Sequence, residues 1–212
     1  LGVGHIFRHH PALSELKRRI ERGELGTVKY LSTTRSTFRS PRKTTGVLFS
    51  LAVHDVDIYT MLMGERPKSI YCRLDSHVLD GIDETASMIL GYGDKATGVI
   101  NESWQIPIDG KRRDLIVVGS ERTAHIDYLA DNEIEIFETT IINKKDDIQL
   151  RDEGSTTHKV EPAEPLKLEV RDFLSSCENG EDPLASGDVG ATAIELLEIA
   201  KKSSDQNRTI EL

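Results

Sequence analysis

Apolar residues recur along the chain with two different periods, and the change between them falls near Lys68. Before it, "HHPALSELKRRIERGELG" places Leu13, Leu16 and Ile20 at helical spacing, with Pro11 suited to a first turn and Gly23 to a stop. "LGVGHIF" at the start alternates like a strand already under way, and "TVKYLSTTR" is β-branched and alternating, so it predicts a strand. The stretch from 46 to 64, "GVLFSLAVHDVDIYTMLMG", predicts an apolar helix. After Lys68 the period becomes two: "KSIYCRL", "TASMILGY", "ATGVINESW", "RDLIVVG", "RTAHIDYL" and "NEIEIFE" are short strands divided by turn residues. Their close spacing leaves no room for crossover helices, so most neighbours should be antiparallel. The charged stretch from Asn143 to Pro165 predicts an irregular excursion or a weak hairpin. Two helices close the chain, one with Leu166, Val170, Phe173, Leu174 and Cys177 on one face, the other with Val189, Ala193, Leu196 and Ala200 as its stripe. The sum is α+β, a single domain over 1–212: an open, mostly antiparallel β-sheet with helices packed mainly on one face.

Composition narrows the classes of function. With 212 residues, 37% of them hydrophobic, the chain can bury a sizeable core. No apolar run approaches the ~20 residues of a membrane span, and the first residues do not read as a signal peptide. A cytoplasmic protein without a membrane partner is expected. Cys72 and Cys177 are isolated and suggest two buried thiols in a reducing compartment. A net charge of −9 disfavours a nucleic-acid partner. Leu1 in place of Met suggests a chain cut from something longer.

The charge is uneven. No acid occurs between Glu24 and Asp55, while Lys29, Arg35, Arg39, Arg42 and Lys43 all do. Two readings stay open, a solvated loop and an anion-binding loop beside the helix of His54. Familiar motifs mostly fail. "GYGDKA", 91 to 96, matches a dinucleotide fingerprint by letters, but it joins two strands where a pyrophosphate site needs a helix N-terminus, so it predicts a hairpin turn. His5, His9 and His10 could join His54 at a metal, yet they straddle a predicted strand and its exit without acid or cysteine partners, and no metal is expected.

The helix holds the remaining chemistry. Ser50, His54, Asp57 and Met61 fall on one side, since surface neighbours lie three and four apart. An imidazole beside a carboxylate can serve as a general acid/base, or the two can be a structural pair within a core; spacing alone leaves both open.

This helix resembles the segment that opens the second domain of the glucose-fructose oxidoreductase, inositol dehydrogenase and MocA family, a GG-x-L-x-D-x-x-x-H-x-x-D run followed by an apolar helix and Gly. "VGHIFRHHPALSELKRRIERGELG", "DETASMILGYGDKATGVINESW", "LIVVGSERTAHIDY" and the closing "EPLKLEVRDFLSSCENGEDPLASGDVGATAIELLEIAKKS" are similar to other parts of the family in order and spacing. The resemblance implies a fold like the C-terminal domain of glyceraldehyde-3-phosphate dehydrogenase, with the N-terminal Rossmann domain absent. It also implies an NAD- or NADP-dependent dehydrogenase of sugars or cyclitols whose cofactor is bound by that missing domain, so that this fragment alone is inactive. His54 matches the motif histidine and is implied as the acid/base or hydroxyl-binding group; Asp57 matches the later acid, which binds a hydroxyl or orients the imidazole.

Three departures stand out. Ser50 occupies the place of the usual Asp and cannot supply the charge that makes the histidine more basic. His10 replaces the common Asn before Pro11, and no Glu-Lys-Pro motif is present. Two functions follow as expectations. One is the substrate-binding and oligomerisation half of a sugar dehydrogenase, with Ser50, Asp57 and His10 at the substrate and Arg35, Arg39, Arg42 and Lys43 reading a uronate or nucleotide-sugar phosphate. The other is a non-catalytic sugar-sensing or interaction relative. The open sheet face, with Val99, Trp104, Ile126 and Tyr128 as candidates to line it, is expected to pair in a homodimer or tetramer.

Overall fold

Alternation of buried and exposed positions dominates the middle of the chain, and the strands it predicts all form. The computed structural model describes residues 1–107, 110–130, 132–144 and 147–212. In chain order the strands are β1 (Val28–Thr37), β2 (Ser69–Asp75), β3 (Thr85–Gly91), β4 (Thr97–Ser103), β5 (Lys111–Gly119), β6 (Thr123–Asp127), β7 (Glu133–Lys144), β8 (Asp147–Lys159) and β9 (Ile210–Glu211). The helices are α1 (Pro11–Glu21), α2 (Val53–Met63), α3 (Pro165–Asn179) and α4 (Gly187–Gln206). The strands form one sheet in the order β8-β7-β6-β5-β1-β4-β3-β2-β9. Only β1 with β4 is parallel among the described pairings, because the chain leaves β1 through α2 and returns by the β2-β3-β4 meander.

The core lies on one face of this sheet. Leu31 of β1, Met88 and Leu90 of β3, Ile100 of β4 and Leu115 and Val117 of β5 point into it, as period two requires. Leu13 and Leu16 of α1, Val56 and Tyr59 of α2, and Leu196, Leu197 and Ala200 of α4 cover them, all fully buried. Each such leucine contributes about 1.5–3 kcal/mol relative to an exposed one. Tyr59 shows how tightly α2 is seated. Its hydroxyl accepts from Thr33 Oγ1 at 2.8 Å and donates to the Val99 carbonyl at 2.7 Å. Beneath the ring lies Gly98, where a Cβ would come within 2.7 Å of a ring carbon.

The segment from 46 to 64 is helical, with a loosened start. Leu48–Ala52 forms a π-helical turn before α2, and Asp83 accepts the Leu48 N–H at 2.8 Å. Gly64 closes α2 in the left-handed conformation at φ 68°.

Several expectations need correction. The first residues are not a strand: Val3 N–H donates to the Ala185 carbonyl, Gly2 forms an isolated bridge with Ser186, and Ile6–His9 is a short 3₁₀ helix. Of the two readings of residues 143–165 the hairpin holds, though it is long and not weak: β8 pairs with β7 along its length at the sheet edge, and only 160–164 is without regular structure; 145 and 146 lie outside the described residues. The apolar stripe of α3 is not packed, and Val170, Phe173 and Leu174 stay partly exposed. Cys177 on the same helix is exposed, while Cys72 is buried and its thiol is pushed up to about 12 by burial. Trp104 and Ile126 lie in the core rather than on the open face, and Tyr128 packs against Phe7. The open face instead carries Tyr30, Ile89, Val99 and Ile116 among Ser32, Thr34, Ser87 and Asn101. No described helix of the chain is long and apolar enough to cross a membrane.

Candidate active site

Arg35 follows Leu31 and Thr33 in the alternation of β1, so it too points to the helix side of the sheet. Register sets it opposite Glu102 of β4 and Arg113 of β5, and the Tyr128 N–H donates to the Arg113 carbonyl at 2.8 Å. A polar row, Glu102, Arg35, Arg113 and Tyr128, therefore crosses a sheet face that is otherwise apolar. Burying a guanidinium demands a partner. Asp55 of α2 provides one by two-point pairing, with Arg35 Nε to Oδ2 at 2.6 Å and Nη2 to Oδ1 at 3.0 Å. The same guanidinium lies 4.3 Å from the Phe7 ring centre and 5.0 Å from that of Tyr128. Burial opposes its charge, but Asp55 and Glu102 outweigh burial and hold its pKa above the ordinary value. Glu102 moves the other way. Burial, then the adjacent Asp55 charge, push its pKa well above the usual carboxylate range, which favours the protonated acid.

Asp57 is committed elsewhere. Arg8 donates to it through Nε at 2.9 Å and Nη2 at 2.7 Å, and His5 Nδ1 lies 3.4 Å from its other oxygen. Arg8 also donates to the Leu184 carbonyl, so Asp57 ties the 3₁₀ turn and the α3–α4 connection to α2.

Between the two aspartates stands His54, half-buried, its ring 5.2 Å from Phe7 and 6.1 Å from His5. Its Nδ1 is buried without a hydrogen-bond partner among the described residues, and so are Ser50 Oγ one turn earlier, His10 Nδ1 and Tyr128 Oη. Burial and then the Arg35 charge lower the His54 pKa to about 4, while Asp55 and Asp57 oppose this. His10 is lowered by the same two causes. Both imidazoles are thus neutral at pH 7, able to accept on one nitrogen and donate on the other. Unpaired polar atoms gathered in one place are the signature of a site that a ligand completes.

The structure thus groups His10, Arg35 and His54 around Phe7, leaves Ser50 one turn before His54, turns Asp57 to Arg8, and sends Met61 into the core. Arg39 stacks over Trp104 at 5.3 Å, and Arg42 and Lys43 are exposed on the loop after β1. His9 faces Asp172 of α3 at 3.8 Å, away from His5 on Asp57. Sequence reasoning passed over Asp55, Glu102, Tyr128 and Phe7. One signal was available: the alternation of β1 points Arg35 inward, and an inward arginine requires an acid. "GYGDKA" is a hairpin turn, with the Tyr92 N–H donating to the Ala96 carbonyl at 2.9 Å and Gly93 at φ 64°. It makes no cradle for a dinucleotide.

This fold matches a known group. The GFO/IDH/MocA C-terminal domain model matches residues 13–125, more than half of the chain, and the chain belongs to that family. It is similar to myo-inositol 2-dehydrogenase of Thermotoga maritima, 28% identical over all of this chain and 64% of that protein. It is also similar to UDP-N-acetylglucosamine 3-dehydrogenase of Acidithiobacillus ferrooxidans, 28% identical over 83% of this chain and 53% of that protein. The chain thus spans less than two thirds of the length of these relatives. Among solved structures, an oxidoreductase domain protein from Kribbella flavida superposes with a TM-score of 0.81 at 17% identity, covering 99% of this chain and 64% of that one.

Proposed function

We propose that this chain is the substrate-binding part of an NAD(P)-dependent dehydrogenase that oxidises a hydroxyl of a sugar, a sugar derivative or a cyclitol. The observation that carries the reading is His54: a neutral, half-buried imidazole with an unpartnered Nδ1, one turn from the unpartnered Ser50 hydroxyl. The names of the two dehydrogenase relatives support the substrate class. A substrate hydroxyl donates to the imidazole, while Ser50 and His10 offer further hydrogen bonds to its neighbours. As the carbinol carbon loses hydride, its hydroxyl proton passes to His54 and the carbon–oxygen double bond forms. Hydride acceptance is the chemistry that a bound nicotinamide would supply. On this reading a separate domain, outside residues 1–212, holds the cofactor. The exposed apolar face of α3 is a fitting surface for such a domain to pack against.

In the whole protein, His54→Ala should lower kcat by the ~10²- to 10⁴-fold typical of losing a general acid/base. Unchanged turnover would remove His54 from the chemistry. One observation favours a second reading, a sugar-sensing relative without turnover: Ser50 leaves His54 a weak base. Sugar binding by a whole protein that turns over no polyol with either cofactor would decide for it.

We further propose that the open sheet face pairs two or more copies. The β7–β8 hairpin extends the sheet edge instead of folding over that face, which leaves Tyr30 and Ile89 exposed. A stable pair buries on the order of 1,600 Å². Light scattering at tens of micromolar should give a multiple of the chain mass, and a monomer mass would overturn this assembly.

A further inference from the structure

Beyond the polar row, on the same side of the sheet, the strands carry a second rung. Thr37 of β1 stands opposite Lys111 of β5, just as Arg35 stands opposite Arg113. Alternate residues share a face, so the two rungs lie side by side. Arg39 and Trp104 complete a small pocket lined by Arg35, Thr37, Arg39, Trp104, Lys111 and Arg113. Leu51, the residue after Ser50, also borders it, which places it next to the His54 site.

Four cationic side chains around one pocket of an acidic protein need an explanation. Asp55 answers for Arg35, and Arg112, which points to the other face, is answered by Asp114. Among the described residues no carboxylate lies within ion-pair distance of Arg39, Lys111 or Arg113. Arg113 is opposed by burial and then by the Arg35 charge, with Glu102 and Asp55 acting the other way. A buried like-charge pair is costly unless a negative group joins it. Trp104 adds a second observation. It is 1% exposed, and its indole N–H, a donor with no accepting capacity, is buried without a partner among the described residues. The pocket volume is about 50 Å³. This exceeds the ~10–15 Å³ that a single water needs, so the pocket has room for a small polar group.

We infer that this pocket binds an oxyanion carried by the substrate, a phosphoryl group in preference to a carboxylate, and thereby fixes which hydroxyl reaches His54. The inference rests on the dehydrogenase reading for the word substrate, but the pocket's affinity for an anion does not. It also revises the basic stretch: Arg39 is joined by Lys111 and Arg113, far away in sequence, and not by Arg42 and Lys43. Arginine suits this role because its planar fork offers paired donors to oxyanions.

Calorimetric titration of the chain with inorganic phosphate, at constant ionic strength set by chloride, tests the pocket directly. Arg39→Gln combined with Lys111→Gln changes two side chains outside the core and should weaken phosphate by tenfold or more, about 1.4 kcal/mol. His54→Ala should leave phosphate affinity as it is. Equal phosphate affinity in wild type and the double variant, or no phosphate binding by wild type, overturns the inference. Titration with a sugar phosphate, a hexuronate and a nucleoside diphosphate then identifies the carrier by the tightest binder; a neutral sugar binding as tightly as its phosphate counts against the pocket. In the whole enzyme the double variant should raise KM for the anionic substrate and spare kcat. Loss of the dehydrogenase reading would appear in the His54→Ala rates alone, with phosphate binding intact.

Discussion

Asp55 and Asp57 stand two residues apart on one helix and each ends on an arginine, whereas the buried Nδ1 of His54 beside them has no hydrogen-bond partner among the described residues. Asp55 holds the fully enclosed Arg35 of β1, and Asp57 holds Arg8, whose side chain is 12% exposed, in the 3₁₀ turn. Both carboxylates fasten α2 to its neighbours. The comparison separates polar groups that organise the fold from those that face a ligand. In a site of low dielectric the first kind has its hydrogen bonds satisfied and the second keeps them in reserve. Resemblance assigned hydroxyl binding or imidazole orientation to Asp57. Its contacts point instead to holding the 3₁₀ turn, His5 included, in place beside His54.

The largest effect should come from Asp55→Ala. It leaves Arg35 buried without a counter-charge and should cost about 3–5 kcal/mol in denaturant unfolding. Asp57→Ala should cost less, about 1.5–3 kcal/mol, because Arg8 reaches solvent and keeps the Leu184 carbonyl. Equal losses would erase the distinction between the two pairs.

Next in size is a pH effect from the histidines. Unfolded, His54 titrates near 6.5; folded, near 4. Between these values the unfolded chain binds more proton, so stability present at pH 7 is lost as pH falls through the window. The slope is up to about 1.4 kcal/mol per pH unit for this one proton. His5 and His10, also lowered by burial, act with the same sign. His54→Leu should flatten the curve between pH 6.5 and 4, and an unaltered slope would mean that His54 is solvated like an exposed imidazole. The smallest expected effect sharpens the comparison. Ser50→Asp places a carboxylate one turn before His54, where no arginine contacts it, and should raise the imidazole pKa in an NMR titration. Absence of an upward shift would show that residue 50 and His54 do not communicate.

Much of this architecture was legible in the chain. Period two marked each of the strands between Lys68 and Glu138, and the helix from 46 to 64 was found with its terminal Gly64. The β7–β8 hairpin was legible only as one of two readings because β8 is exposed along most of its length and so carries no alternation to read. The strand expected at the N-terminus failed for a related reason: "LGVGHIF" alternates, but it is held by the α3–α4 connection and finds no strand to pair with. At the site, helical spacing put Ser50, His54, Asp57 and Met61 on one face, whereas Asp57 turns to Arg8 and Met61 enters the core. The π-turn before Val53 and the competing pull of Arg8 and the core changed what that helix face presents.

By itself the sequence determined the periods, the turns, the histidine on an apolar helix and the clustering of positive charge after β1. Those are local properties, set by side-chain spacing and backbone preference within a few residues. Tertiary structure decided which charges meet. Arg35 lies beside Glu102 and Arg113 only through the register of β4 and β5, and it meets Asp55 only because α2 crosses that row. Electrostatic partnership depends on distance and burial in space, and both are settled when the sheet closes over its helices.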